Sequence, residues 1–261
     1  MKISCHCLVK NEENFIYYAI ISVIDYVDEI LVWDTGSSDK TVEIVKSINN
    51  PKIKFKEIGK QSAHGVSLAR QQMLDETKAD WIFILDGDEI WHKHMIGQQT
   101  KHLKESGDKF DVVVSPNTML VGDMYHCLDE SFGQYKIHGK KGHLNIRFIK
   151  NLPELHIRGT YPSETYVDGN KVPVQNLPKE RVSFSDYYYL HASFLPRSSK
   201  DRKKVKYELT NALPLDYYYP ESFFINSSFV GNFNLWRPFG FDYTLKSMIV
   251  YPFKKFRRMF K

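Results

Sequence analysis

Residues 81–85, Trp-Ile-Phe-Ile-Leu, form a wholly apolar run that ends directly at Asp86-Gly87-Asp88. A short run without polar alternation is typical of a central strand that is covered on both faces. Such strands belong to mainly parallel sheets, whose ligands bind beyond the carboxyl ends of the strands. The run therefore predicts a buried strand that brings two carboxylates and a glycine to a ligand-binding edge.

The first half of the chain alternates strand-like and helix-like segments around this run. Apolar runs predict strands over residues 3–9, 29–33, 52–58 and 81–85. Helical spacing predicts helices between them, over residues 12–26, 41–48 and 65–78. This order predicts the α/β class, with a doubly wound, mainly parallel central sheet and helices on both faces.

The second half is less regular. Residues 111–115 and 145–150 have strand patterns, and residues 119–143 have the composition of a loop or a β-excursion over the site. Residues 200–213 are a helix candidate, and residues 217–242 are aromatic without a clear period. This half therefore gives a weaker basis for a fold prediction.

Polar clusters follow three of the four predicted strands, at Lys10-Asn11-Glu12, Asp34-Thr35-Gly36 and Asp86-Gly87-Asp88. All three should meet at one edge of the sheet. The two carboxylates can hold a hard divalent cation, and Gly87 lets the backbone approach closely. Oxygens of a nucleotide diphosphate would complete an octahedral shell, which suits Mg²⁺ or Mn²⁺. The alternative is a solvated acidic turn.

The order of four segments resembles the family 2 glycosyltransferases of GT-A fold. The segments are L-V-K-N-E-E-N, then V-D-E-I-L-V-W-D-T-G-S-S-D-K-T-V-E-I, then S-L-A-R, then A-D-W-I-F-I-L-D-G-D-E, within residues 3–92. The resemblance implies a GT-A-like sheet and an inverting transferase. It also implies a nucleotide-diphosphate sugar as donor, by default a UDP-sugar, with Mn²⁺ or Mg²⁺.

The resemblance implies roles for the matching positions. Asp34 would contact the nucleoside, and Arg70 would neutralise or position the donor. Asp86 would meet the ribose or sugar with Gly87 beside it, and Asp88 would bind the metal. The nucleoside pocket would be lined by Leu8, Lys10 and Glu12.

Each of three positions also has a simpler interpretation. Asp34 could cap the turn into the next helix. Arg70 could be a solvated helix charge, and Glu12 could favour the N-terminus of the first helix.

An inverting transfer needs a base for the acceptor hydroxyl. Residues 145–148 and 159–164 resemble the second characteristic region of the family, which makes Glu164 the candidate. This chain has Pro-Ser-Glu where many relatives show Val-His-Glu, and Asp129, Glu130 and Asp186 remain competitors.

His191 matches a position at which some relatives carry a further metal or diphosphate ligand; the alternative is a packed, hydrogen-bonded histidine. The segment from Arg197 to Lys200, with Arg202, Lys203 and Lys204, is basic and bears hydroxyls. It could close over a diphosphate or begin a solvated helix.

The net charge of +5 is concentrated at the C-terminus. Residues 243–261 hold six Lys or Arg and no acid, which leaves the other 242 residues at −1. A body so close to neutral argues against a nucleic-acid-binding domain. Ile249, Phe253, Phe256 and Phe260 recur at helical spacing among the basic residues, and a helix is expected after Pro252. The pattern favours a peripheral membrane surface over packing on the body.

These features suggest a cytoplasmic protein at the inner face of the cytoplasmic membrane, with a glycan or lipid-linked acceptor. Cys5, Cys7 and Cys127 are few and odd in number, which favours reduced thiols. We expect a catalytic domain over residues 1–215, in which 1–115 bind the donor and 116–215 face the acceptor. Residues 216–261 would be an extension, helical and aromatic, with the basic tail.

Two other classes of function also fit some of these features. A non-catalytic nucleotide-sugar-binding or scaffold protein could share this fold. A nucleotidyltransferase also uses a doubly wound sheet with acidic metal ligands. It should carry a glycine-rich basic loop after the first strand, where this chain has Lys10-Asn11-Glu12-Glu13.

Overall fold

The structure, a computed structural model, describes residues 1–200, 211–225 and 234–259. Its strands are β1 (Ile3–Val9), β2 (Glu29–Asp34), β3 (Ile53–Glu57), β4 (Trp81–Ile84), β5 (Glu89–Trp91), β6 (Val112–Val121), β7 (His126–Cys127), β8 (Tyr135–Ile137), β9 (Lys140–Gly142), β10 (Leu144–Lys150), β11 (His156–Arg158), β12 (Thr165–Val167), β13 (Val182–Phe184), β14 (Tyr189–Phe194) and β15 (Asn211–Ala212). Its α-helices are α1 (Ile16–Val23), α2 (Thr41–Ser47), α3 (Ala63–Glu76), α4 (Lys93–Ser106) and α5 (Phe241–Met259).

The central sheet confirms the predicted doubly wound α/β arrangement. Strands β3, β2, β1 and β4 lie side by side in that order and run parallel. Strand β10 follows, antiparallel to both β4 and β6. The chain moves outward from β1 to β2 and β3, then returns to place β4 on the other side of β1. That reversal is a topological switch point, which opens a crevice at the carboxyl ends of β1 and β4.

The apolar run that ends at Asp86 is buried on both faces, as predicted. Trp81 and Phe83 pack in the core with α1, whereas Ile82 and Ile84 pack on the opposite face with residues of β6 and β10. The ring of Phe83 stacks on Phe148 with centroids 4.5 Å apart. Each large apolar side chain buried here contributes about 1.5–3 kcal/mol.

Helix α1 is shorter than the predicted segment 12–26. It covers Ile16–Val23 and ends in a 3₁₀ turn at Ile24–Tyr26. Asn11 adopts a positive φ of 54° after β1, so the chain turns before the helix begins. The Glu12 carbonyl then accepts hydrogen bonds from the backbone of Phe15 and Ile16.

The predicted helix over residues 200–213 falls largely on residues 201–210, which lie outside the described residues. Its C-terminal end is wrong, because Asn211 and Ala212 pair with β7 as a strand. The Asn211 amide also donates to Asp129 at 2.8 Å, a contact that extended backbone allows.

Helix α5 begins at Phe241 and continues through Pro252, although the sequence favoured a helix chiefly after that proline. Tyr243 and Ser247 are buried, and the Tyr251 ring lies 6.0 Å from the ring of Phe132. These residues recur every four positions, so one side of the helix packs on the body. Those contacts stabilise the turns before the proline, which local propensity alone disfavours.

His6 lies on the face of β1 opposite to Cys5 and Cys7, because successive side chains of a strand point to opposite faces. Both cysteines are buried in the core on the α1 side. The His6 Nε2 atom lies 2.7 Å from the Thr77 hydroxyl at the end of α3. Burial, together with the nearby charge of Arg70, lowers the pKa of His6 to about 3. Folding therefore keeps this imidazole neutral under conditions in which the unfolded chain would protonate it.

We predict that the contribution of His6 to the stability of the folded state falls as the pH drops below about 6.5, the ordinary pKa of histidine. The folded-state pKa of His6 is depressed, so below that pH the unfolded state binds a proton that the folded state does not. This group alone should reduce the free energy of unfolding by about 1.4 kcal/mol per pH unit. Urea unfolding at pH 7.5 and pH 5 measures the change in the free energy of unfolding between these two pH values. That change should be more negative for the wild type than for His6→Gln, which lacks the imidazole.

Replacement of the exposed His94 by Gln is the matched control and should show the same pH-dependent change in the free energy of unfolding as the wild type. An equal pH dependence in the wild type and in His6→Gln would contradict the assignment.

Candidate active site

A cavity of about 740 Å³ opens beyond the carboxyl ends of β1 and β4, at the switch point of the sheet. Its volume is in the range of small-molecule sites, about 300–1,000 Å³. Nine of the ten residues predicted for the site line it: Leu8, Lys10, Glu12, Arg70, Asp86, Gly87, Asp88, Glu164 and His191. The structure thus brings together side chains from both halves of the chain.

Asp34 is the predicted residue that does not line this cavity; its neighbour Thr35 does. The buried Asp34 carboxylate accepts hydrogen bonds from the backbone of Gly36 and Ser37, both at 2.9 Å. Gly36 has a φ of 86°, which favours glycine at this turn. The geometry matches the turn-capping interpretation, and the contact between Asp34 and a nucleoside stays a prediction.

Gly87 allows the acidic loop to pass close to the segment that follows β1. A Cβ atom at this position would lie 2.8 Å from Glu12 Cγ and 3.2 Å from Val9 Cγ1. Any larger residue would push these elements apart. The Asp86-Gly87-Asp88 turn is therefore held against the end of β1, as the close approach predicted for Gly87 requires.

Asp88 is almost completely buried and lies between two groups that can carry positive charge. Its Oδ1 atom is 3.4 Å from His191 Nε2, and its Oδ2 atom is 3.4 Å from Arg197 Nη1. Burial alone would lower the pKa of His191, but the charges of Asp88 and Glu89 raise it above its ordinary value. The imidazole therefore binds its proton more tightly than a solvated histidine does.

Pairing of β14 with β5 explains why His191 reaches the acidic loop. The two strands are antiparallel, with His191 opposite Glu89, directly after Asp88 in the sequence. The pairing joins positions about a hundred residues apart in the chain. No local pattern in the sequence indicates it.

Glu89 and Arg147 form a buried ion pair next to the loop, and neither was among the residues predicted for the site. Arg147 Nη2 donates to Glu89 and to Asp86, the latter at 3.0 Å. Burial raises the pKa of Glu89 to about 7, although Arg147 opposes that shift. Two features of the sequence could have pointed to them: an acid directly follows Asp88, and an arginine lies in the predicted strand of residues 145–150.

The residues around the loop fit a hard divalent cation. Asp86, Glu89 and His191 each offer one ligand atom, and these atoms lie within 4.8 Å of one another. Two carboxylates and an imidazole suit Mn²⁺ and also permit Mg²⁺. The sequence assigned the metal to Asp88 and His191. The structure adds Asp86 and Glu89 as candidate ligands.

Helix α3 and the segment before β12 place Arg70 opposite Glu164. Val66 and Arg70, four residues apart on α3, both face the cavity. Arg70 Nε lies 3.2 Å from Glu164 Oε1, and both side chains are largely buried. The other carboxylate oxygen, Oε2, is buried and has no hydrogen-bond partner within the described ranges. That oxygen is positioned to accept a hydrogen bond or a proton from a ligand.

The three competing acids lie elsewhere. Asp129 accepts a hydrogen bond from the backbone of Ser131, Glu130 accepts one from the backbone of His143, and Asp186 is exposed. None of the three lines the cavity. Their positions favour Glu164 among the candidates for the base.

The segment around Arg197 packs over the turn that follows β1. Arg197 Nη1 donates to Glu12 at 2.7 Å, and the backbone of Ser199 donates to Glu13 at 2.6 Å. The Ser198 hydroxyl donates to Asp39 at 2.5 Å. This segment thus closes one side of the cavity. The basic positions 202–204 lie outside the described residues.

The profile of glycosyl transferase family 2 matches residues 4–149. The chain belongs to this family. It is 30% identical over 194 residues to the SPbeta prophage-derived glycosyltransferase SunS of Bacillus subtilis (strain 168). That match covers 69% of this chain but 45% of the relative, so the chain corresponds to less than half of that protein. An uncharacterized glycosyltransferase of Rickettsia bellii is 35% identical over 96 residues, 36% of this chain and 30% of that protein.

Similar solved structures include S. aureus TarS 1-349 in complex with UDP-GlcNAc, with a TM-score of 0.49 and 16% identity. That alignment covers 76% of this chain and 61% of the TarS 1-349 chain. Another is glucosyl-3-phosphoglycerate synthase of Mycobacterium tuberculosis in complex with Mn²⁺ and UDP-glucose. Its TM-score is 0.36 and its identity 22%, over 46% of this chain and 44% of that one.

Proposed function

We propose that this chain is an inverting glycosyltransferase that moves a sugar from a UDP-sugar to a hydroxyl group of a glycan or lipid-linked acceptor. Residues 1–215 would form the catalytic unit. The observation that carries the proposal is the cavity at the switch point, where the acidic loop, Arg70 and Glu164 face the same space. Family membership supports sugar transfer as the reaction class.

The charges around the cavity suit a diphosphate that arrives with a divalent cation. Glu12, Asp86 and Asp88 would repel a bare anion, whereas Lys10, Arg70 and Arg197 would attract it. A bound Mn²⁺ or Mg²⁺ would neutralise charge on the diphosphate. Asp86, Asp88, Glu89 and His191 are the residues that would hold it.

Glu164 is positioned to act as the base of this reaction. In the proposed step the acceptor oxygen attacks the anomeric carbon, the bond from that carbon to the diphosphate oxygen breaks, and the nucleotide diphosphate leaves. The hydroxyl proton passes to Glu164 Oε2. The Oε1 atom stays beside Arg70, which keeps the carboxylate oriented. Attack from the face opposite the leaving group inverts the anomeric carbon.

The exposed side of α5 supports attachment to a membrane surface. Phe253 and Phe256 are 75% and 66% exposed, and Phe241, Leu245, Met248 and Ile249 are also exposed. The sequence places five basic residues among or after the two phenylalanines. Among the described residues, no helix is both long and apolar enough to cross a bilayer. A basic helix with an exposed apolar side fits a position in the plane of an anionic leaflet.

We expect UDP to stabilise the protein more strongly in the presence of Mn²⁺ than in its absence. Saturation at about 100 times the Kd should add about 2.7 kcal/mol of stability. Asp88→Asn should remove the Mn²⁺-dependent part of this stabilisation, because the variant lacks one negative charge that would attract the cation. Thermal unfolding with UDP, with and without Mn²⁺, measures this. Asp108→Asn, an exposed position, should behave as the wild type, and equal stabilisation without metal would contradict metal dependence.

Glu164→Gln should lower kcat for sugar transfer about 10²–10⁴-fold, the usual contribution of a general base. The amide keeps the size of the side chain but cannot take the proton. Release of UDP from UDP-sugars in the presence of acceptor measures the rate. Binding of UDP should be retained, and Glu180→Gln on the exposed surface is the control. Equal activity in both variants would remove Glu164 as the base, whereas UDP binding without turnover in the wild type would support the non-catalytic alternative.

The double variant Phe253→Ser, Phe256→Ser should lose binding to vesicles that contain phosphatidylglycerol. Each phenylalanine can contribute up to about 1.5–3 kcal/mol when it enters an apolar phase, so the partition coefficient should fall at least tenfold. Co-sedimentation at low and high salt measures this, and added salt should weaken wild-type binding. Leu215→Ser, a fully exposed apolar position outside α5, is the matched control. Unchanged co-sedimentation of the double variant would refute the proposal.

A further inference from the structure

A second, smaller cavity of about 190 Å³ adjoins the first one. The two share Arg70, Asp86 and Glu164 as lining residues, so they meet at the candidate base. It has about a quarter of the volume of the first cavity. A space of this size suits one small ring.

The charged groups of this second cavity are already paired with one another. Arg70 lies beside Glu164 at 3.2 Å, and Arg147 donates to Asp86 at 3.0 Å. The other polar lining residues are uncharged: Tyr135, Asn145, Thr165, Tyr166 and Gln175. An anion such as phosphate would find no cation that lacks a carboxylate partner among these residues. The cavity is therefore suited to a neutral ligand rich in hydroxyl groups.

The rest of the lining is apolar. Ile84, Ile146, Ile149 and Val174 contribute aliphatic surface. Tyr135, at the start of β8, is 44% exposed and adds an aromatic ring at the cavity. A pyranose ring has the matching character, because its C–H faces are apolar and its edges carry hydroxyls. The aliphatic and aromatic surfaces of the cavity suit the C–H faces of the ring, and its amide and hydroxyl side chains suit the hydroxyl groups.

Glu164 Oε2 links this cavity to the chemistry of the first one. The side chain is nine-tenths buried, and this oxygen has no hydrogen-bond partner in the part of the chain that the structure describes. An unsatisfied buried acceptor is destabilising unless a ligand donates to it. We propose that the second cavity binds a neutral sugar ring of the acceptor, whose reacting hydroxyl donates to Glu164 Oε2. This rests on the proposed function, in which the larger cavity holds the donor.

Saturation-transfer NMR with the methyl glycosides of glucose, galactose and N-acetylglucosamine tests the proposal without turnover. At least one of them should receive saturation from the wild-type protein, and added inorganic phosphate should not displace it. Gln175→Leu and Tyr135→Ala should weaken that binding about tenfold, as expected for the loss of one good hydrogen bond or contact. Tyr218→Ala, at an exposed tyrosine outside both cavities, should bind as the wild type does.

The same variants separate this proposal from that of the donor site. Binding of UDP with Mn²⁺ should be unchanged in Tyr135→Ala and Gln175→Leu, and thermal unfolding should show that both variants are folded. Weaker UDP binding in these variants would assign the cavity to the donor and overturn the proposal. Equal glycoside binding in the variants, displacement by phosphate, or no glycoside binding to the wild type would also overturn it. A wild type that binds glycosides but not UDP would instead overturn the proposed donor site.

Discussion

The ion pairs of Arg147 hold the acidic loop in place. Glu89 is fully buried, and a buried carboxylate without a partner is strongly destabilising. Arg147 donates to Glu89 and to Asp86, and the Tyr189 hydroxyl accepts from Arg147 Nε at 3.0 Å. Loss of one partner of such a network typically costs about 3–5 kcal/mol, because the remaining charge stays buried. The position of Asp86 and Asp88 thus depends on an arginine that is 58 residues away from Glu89 in the chain.

The charged side chains around the loop form two groups of ion pairs. Arg147 pairs with Glu89 and Asp86, whereas Asp88 lies between His191 and Arg197 at the larger cavity. The charges in the cavity are thereby close to balanced before any ligand binds. A diphosphate and a divalent cation that enter together disturb that balance less than either would alone.

The sequence predicted the parts of the site that follow from local patterns. The apolar run at 81–85 and the alternation of strands and helices were sufficient for the sheet, and the polar strand ends located the cavity. Glu89 and Arg147 were missed because their significance arises from pairing between β4 and β10 and from full burial, which local periodicity does not report. For Asp34, the sequence predicted its position at a strand end. The structure then showed that its carboxylate accepts hydrogen bonds from the turn that follows.

Glu164, the candidate base, lines both cavities. A carboxylate that is held through one oxygen loses its rotamer freedom before any ligand binds, so binding need not supply that entropy. Arg70 lies within ion-pair distance of Glu164 Oε1, whereas Oε2 has no hydrogen-bond partner among the described residues. Because both residues line both cavities, a displacement of α3 would change the two cavities together. In the proposed reaction, the same ion pair would therefore control the position of the donor and the orientation of the attacking hydroxyl.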